Sequence, residues 1–138
     1  MTFTVSIAVR SYELDTQGHV NGAVYHQYGD HARWECLRAA GVSVDEMLAG
    51  GVGPVTLENT IRYHRELRGG DEVKVSCAFR WSGGKTFGVQ QRFWRGDGEL
   101  VAELTSIGGL LDLRERRLLP DPEARWRALA TSPEVLGL

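Results

Sequence analysis

Lysine is almost missing from this chain: of its 16 basic residues only two, Lys74 and Lys85, are lysines. The skew to arginine is compositional and bears little on function. Basic excess is missing too. The formal net charge is −2, with acids and bases interleaved, which argues against a nucleic-acid surface or a polybasic membrane patch. No apolar run approaches the roughly 20 residues that span a bilayer. The N-terminal "MTFTVSIAVR" has no basic region followed by a long apolar block, so a signal peptide is not expected. Cysteine is limited to Cys36 and Cys77, far apart and without Cys or His at ligand spacing. Two buried thiols in a reducing cytoplasm is the simplest reading. What is present suffices for a core: 42% of the 138 residues are hydrophobic. That length fits one domain over residues 1–138.

The apolar pattern changes period along the chain. "FTVSIAVR" alternates, with Phe3, Val5, Ile7 and Val9 on one face, and reads as a strand. Tyr25, Tyr28, Ala32, Cys36 and Ala39 then recur at helical intervals up to Gly41, a C-terminal stop. "SVDEMLAGG" is a short helix or turn with Ser43 as its cap. From Pro54 the period returns to two, and Val55, Leu57, Asn59, Ile61 and Tyr63 are expected to share a face. Three further alternating runs end near Trp81, Phe93 and Leu113, joined by "RGGD", "SGGK" and "RGDG". Short Gly-rich turns between consecutive strands imply an antiparallel meander. Asp121 and Pro122 open a terminal helix. The expected fold class is α+β: a five-stranded antiparallel sheet wrapped around one long helix.

The chemistry concentrates in "SYELDTQGHVNGAVYHQYGDHARWE", Ser11 to Glu35. Asn21 suits the helix N-cap, its side chain accepting from the amide of Ala23 or Val24. The Gly22 amide is then without an internal partner, at the positive end of the helix dipole. Such an amide can bind negative charge developing on an oxygen. Glycine there admits a substrate close to the backbone. Asp15, on the loop leading in, can attack an activated carbonyl or direct water at it. His19 can hydrogen-bond the carboxylate or the substrate. Each has a plainer role: Asp before Gly forms turns, a His near a helix start makes structural hydrogen bonds, and Gly22 can serve packing alone. His26 and His31 are five apart, a poor match to the spacing of paired ligands on a helix face, and no metal site is expected. "SGGK" joins two strands and does not precede a helix, so it is not a phosphate-binding P-loop.

"ELDTQGHVNGAVYHQYGDHAR" resembles the signature of hotdog-fold acyl-CoA thioesterases of the 4-hydroxybenzoyl-CoA thioesterase type: an acid, a spacer, Gly-His-Val-Asn, a small residue, then an aromatic-bearing helix. The resemblance extends over nearly the whole chain. It implies hydrolysis of an acyl thioester, carried by coenzyme A or acyl carrier protein, to free acid and thiol. Asp15 would be the nucleophile or general base, Gly22 the carbonyl-polarising amide, and His19 a further catalytic residue. The resemblance further implies sheets paired side by side in a homodimer or homotetramer, active sites at the interface, and no cofactor, coenzyme A being part of the substrate. Asn21 and Tyr25 would line the site. Lys85 and Thr86 in "SGGKTF" would hold the pantetheine or phosphate end, or form a solvated hairpin tip. Asn59 and Thr60, polar in mid-strand, would line the acyl pocket or pair across the dimer. Gln17 departs from the acid-x-Asn-x-His pattern of plant acyl-carrier-protein thioesterases, and "YHRELRGGD" lacks the proline many relatives have there. Two other classes remain open: a hotdog dehydratase or isomerase, and a non-catalytic acyl-CoA-binding protein.

Overall fold

A computed structural model describes residues 2–138. Strand β1 (Phe3–Ala8) leads through a 3-10 turn, Ser11–Glu13, into helix α1 (Gly22–Ala39). A short helix α2 (Val44–Ala49) follows, and then β2 (Val52–Tyr63), β3 (Glu72–Trp81), β4 (Thr86–Arg95) and β5 (Leu100–Asp112). These five strands form an antiparallel sheet in the order β1-β3-β4-β5-β2. A two-residue strand β6 (Arg117–Leu118) folds back onto the end of β5, a sixth strand the sequence pattern did not reveal. Helix α3 (Pro122–Leu129) ends the layer, with Asp121 capping Ala124. No helix among the described residues is long and apolar enough to cross a membrane.

Helix α1 lies in the concave face of the sheet. Its buried residues are Tyr25, Tyr28, Gly29, Ala32, Cys36 and Leu37, the i, i+3, i+4 stripe of an amphipathic helix. Gly29 fixes how closely helix meets sheet. A Cβ there would stand 2.7 Å from Leu104 Cδ2 and 3.0 Å from Gln91 Oε1, and the buried Gln91 amide donates to the Gly29 carbonyl at 2.8 Å. The core divides along the helix. Its first half packs on Val73, Val75, Phe93 and Leu104. Its second half packs on Cys77, Phe79, Phe87, Val89 and Trp126. Cys36 and Cys77 meet in this second cluster and are free thiols; the hydrogen bond that the Cys77 thiol gives to Cys36, reinforced by burial, pushes the Cys77 thiol up.

β2 does not keep the single face its sequence suggests. Its pairing with β5 slips between Thr56 and Glu58, leaving Leu57 as an extra residue. Pro54 lies opposite buried Leu110, whereas beyond the slip Asn59 and Ile61 lie opposite buried Ser106 and Leu104. Val55 is therefore out of step with Asn59, Ile61 and Tyr63, and Leu57 is 52% exposed. A bulge of one residue inverts the alternation while leaving the sequence period unchanged. β2 is also a sheet edge, paired on one side only.

Candidate active site

The loop before α1 is a small hairpin. Leu14 bridges Val20, the Asp15 amide donates to the His19 carbonyl at 2.7 Å, and the Gly18 amide donates to the Asp15 carbonyl at 3.1 Å. Gly18 takes φ +75, which a glycine adopts without a Cβ clash. The loop is pinned beneath by Glu13, only 8% exposed. This carboxylate accepts from the Tyr28 hydroxyl at 2.6 Å and the Arg10 amide at 2.7 Å. Burial, then this hydrogen bond, pushes the Tyr28 hydroxyl well up. On its other side the loop bridges the segment after β2, with Val20 N–H donating to the Leu67 carbonyl at 2.8 Å and His19 facing Arg68.

Asp15 is indeed a turn former. Its Oδ1 accepts from the Gln17 amide at 2.9 Å and the His19 amide at 3.2 Å. Its Oδ2 takes no hydrogen bond from the described residues. Asn21 caps α1 by accepting from Ala23 at 2.9 Å, and no acceptor among the described residues takes the Gly22 amide. Asp15, His19, Gly22 and Tyr25 line one open cleft of about 360 Å³ together with Val20, Tyr63, His64, Arg65 and Glu66. Asn21 stands beside this cleft and spends its side-chain oxygen on the helix.

Tyr63 and Glu66 went unrecognised in the sequence. The Tyr63 hydroxyl donates to the Gly22 carbonyl at 3.0 Å, and a Cβ on Gly22 would meet that hydroxyl at 3.2 Å. Tyr63 also packs edge-on against Tyr25, ring centroids 5.0 Å apart. Tyr25 is buried, which pushes its hydroxyl up. His19 pairs its Nε2 with Glu66 Oε2 at 2.6 Å, and Glu66 also binds Arg68. Arg68, then more weakly His19, holds the Glu66 carboxyl below its ordinary value. The signal for both was the unusual "YHRELRGGD", but nothing in it showed that the segment returns beneath the Asp15 loop.

Four expected site residues lie outside this cleft within the protomer. Asn59 faces inward but accepts from Ser106 Oγ at 2.6 Å, away from the cleft. Thr60 is exposed and belongs to the outer sheet surface with Arg62, Arg92 and Glu103. Lys85 and Thr86 sit at the opposite end of the sheet, since Phe93, level with Ala102 and Tyr63, is separated from Thr86 by seven residues of β4, roughly 20 Å. A β3–β4 hairpin tip cannot be near the Gly22 end of the same protomer.

Residues 9–135 match the family described as the thioesterase-like superfamily. Over 73 residues the chain is 41% identical to the chloroplastic acyl-acyl carrier protein thioesterase ATL3 of Arabidopsis thaliana, covering 53% of this chain and 38% of that protein. The chain thus spans little more than a third of that relative. It is 28% identical over 114 residues to the long-chain acyl-CoA thioesterase FadM of Escherichia coli strain K12, covering 82% of this chain and 86% of FadM. The solved structure of the Staphylococcus aureus protein SAV2348, in complex with CoA, superposes with a TM-score of 0.82 at 23% identity, covering 100% of this chain and 93% of that one. The wrapped sheet is the hotdog fold.

Proposed function

The chain belongs to the thioesterase-like superfamily, and from that premise we propose that it hydrolyses an acyl thioester, carried by coenzyme A or acyl carrier protein, to a free acid and a thiol. The observation behind this reading is that Asp15 and the N-terminal residue of α1, Gly22, line the same cleft. The thioester carbonyl oxygen accepts from the Gly22 amide, where the helix dipole stabilises the charge that forms as the carbonyl is attacked. Asp15 takes a proton from the attacking water, or adds to the carbonyl itself. The tetrahedral adduct collapses with cleavage of the C–S bond. By the first route the thiolate leaves and recovers that proton from Asp15; by the second it leaves a mixed anhydride on Asp15, which water then opens, giving the free acid, restoring the carboxylate and supplying the proton that the thiolate takes up. Label found in Asp15 after a single turnover in ¹⁸O water identifies the second route, in which water opens the anhydride at the Asp15 carbonyl. His19, engaged by Glu66, holds the Asp15 loop through its ring and its backbone amide. No redox or metal cofactor enters the reaction so written.

The unpaired β2 edge supports a homodimer in which two β2 strands pair antiparallel about a two-fold axis. An exposed twelve-residue edge, with Leu57 and Tyr63 each about half exposed, is otherwise an aggregation hazard.

Asp15→Asn tests the hydrolase reading. Asn retains the oxygen that accepts from Gln17 and His19, so the loop keeps its turn. Thiol release from a panel of acyl-CoAs should fall roughly 10²–10⁴-fold with circular dichroism unchanged. Turnover at the wild-type rate overturns the assignment.

A further inference from the structure

Tyr63, the last residue of β2, reaches the cleft from the sheet, whereas Asp15 and Gly22 reach it from the loop and the helix. Its ring is set by the core. It stands edge-on against Tyr25, which is buried and tilts in turn on Phe93, ring centroids 5.8 Å apart. The ring is half exposed, so its polar tip borders the open space. Among the described residues that hydroxyl makes one hydrogen bond, the 3.0 Å donation to the Gly22 carbonyl. Gly22 opens α1, so the same carbonyl already accepts from the His26 amide one turn on. The hydroxyl is thus a second donor to an acceptor that is satisfied without it.

The hydroxyl also lies close to the amide of the same glycine. A Cβ on Gly22 would stand 3.2 Å from the hydroxyl oxygen, and a residue's own nitrogen lies about 2.5 Å from its Cβ. The two donors are therefore no more than about 6 Å apart. One oxygen placed between them can accept from both, at about 3 Å from each. A side chain at position 22 would crowd the hydroxyl, and glycine leaves that side of the helix start open.

We infer that Tyr63 is a catalytic residue whose hydroxyl turns from the Gly22 carbonyl to the thioester carbonyl oxygen and, beside the Gly22 amide, supplies the second donor to the charge that forms there; this rests on the hydrolase reading above. The hydroxyl hydrogen rotates, and an oxygen gaining negative charge is a stronger acceptor than a peptide carbonyl. Gly22 keeps its helical bond, so the exchange leaves no group unpaired. The phenolic proton stays on Tyr63 throughout, and the hydroxyl returns to Gly22 once the acid leaves. A donor held in place by packing before the reaction begins needs little reorganisation during it.

Tyr63→Phe keeps the ring on Tyr25 and removes only the hydroxyl. On the acyl-CoA panel kcat should fall about 10²-fold. KM should change much less, because the bond tightens as charge collects on the oxygen. Infrared difference spectroscopy reads the carbonyl itself. The tightest-binding acyl-CoA of the panel, labelled with ¹³C at its thioester carbonyl, is bound to the Asp15→Asn protein. Its carbonyl stretch should lie at lower frequency there than in the protein that also carries Tyr63→Phe. Replacing Tyr63 by fluorotyrosine, whose hydroxyl is the stronger donor, should lower the stretch further. A hydroxyl that only pins Gly22 leaves the stretch unmoved by the fluorine. A stretch equal in all three proteins, or wild-type kcat in Tyr63→Phe, overturns the inference and leaves the hydrolase reading intact. Absence of thiol release alongside a stretch that follows Tyr63 sinks the hydrolase reading and leaves the hydroxyl's hold on the thioester standing.

Discussion

The two ends of α1 sit in the same trough of the same sheet and are built differently. At the N-terminal end the side chains that matter come from loops and are half exposed: Asp15, His19 and Glu66 are held by short polar contacts and border open solvent. At the C-terminal end Phe79, Phe87, Val89 and Trp126 pack around Leu37 with rings 5.9–6.4 Å apart, and polar groups are confined to one rim. Stability and chemistry are therefore assigned to different ends of one helix. Apolar burial contributes about 1.5–3 kcal/mol for each large side chain, whereas exposed ion pairs contribute little. A carboxylate that must meet a substrate cannot also be sealed in a core.

This contrast can be broken by substitution. The largest loss is expected at the closed end. Trp126→Ala, at a residue 1% exposed, should cost about 3–5 kcal/mol in urea unfolding while Asp15 keeps its turn. A cost under about 1 kcal/mol would mean that α3 is an ornament on the fold. Next comes Tyr28→Phe, which takes the hydroxyl from the buried Glu13 carboxylate. Leaving that acceptor short should cost about 1–3 kcal/mol, because here the open end depends on buried structure. Tyr63→Phe removes a hydrogen bond from a half-exposed ring to Gly22, worth about 0.5–1.5 kcal/mol. It sharpens the contrast if kcat falls further than stability does.

The smallest effect belongs to Glu66. Its carboxyl lies below the ordinary value of 4.5 because Arg68 and His19 favour the charged form. The fold gains from that carboxylate above pH 4.5 and loses the gain as pH falls through the lowered value. Melting curves of wild type and Glu66→Gln should therefore converge on acidification. Curves that stay equally far apart down to pH 3 would assign the difference to something other than charge.

The sequence disclosed more of the closed end than of the open one. Periodicity depends on burial, so the α1 stripe, the alternations of β3 and β4 and the Asp121 cap were all readable. Asp15, His19, Gly22 and Tyr25 were readable as neighbours because they fall within eleven positions. Tyr63 and Glu66 were not, since they reach the same cleft from some forty residues away in the chain through loop bridges that leave no periodic trace. Lys85 and Thr86 show another limit: a hairpin tip has a clear local signature, but its distance from the cleft of its own protomer is set by strand order and direction. β2 failed for a third reason. The extra residue at Leu57 is invisible in an alternation count and inverts the faces on one side of it.

That extra residue also bears on colloidal behaviour. A straight edge accepts any extended neighbour and can add chains without limit, as in a growing fibril. An edge kinked at Leu57 fits best against a mate whose own kink lies opposite, and such a match closes after one addition. Deleting Leu57 would leave the inward set of β2 where it is and straighten the border of the sheet. The shortened chain should then fold normally but turn cloudy on storage, where the natural one stays clear.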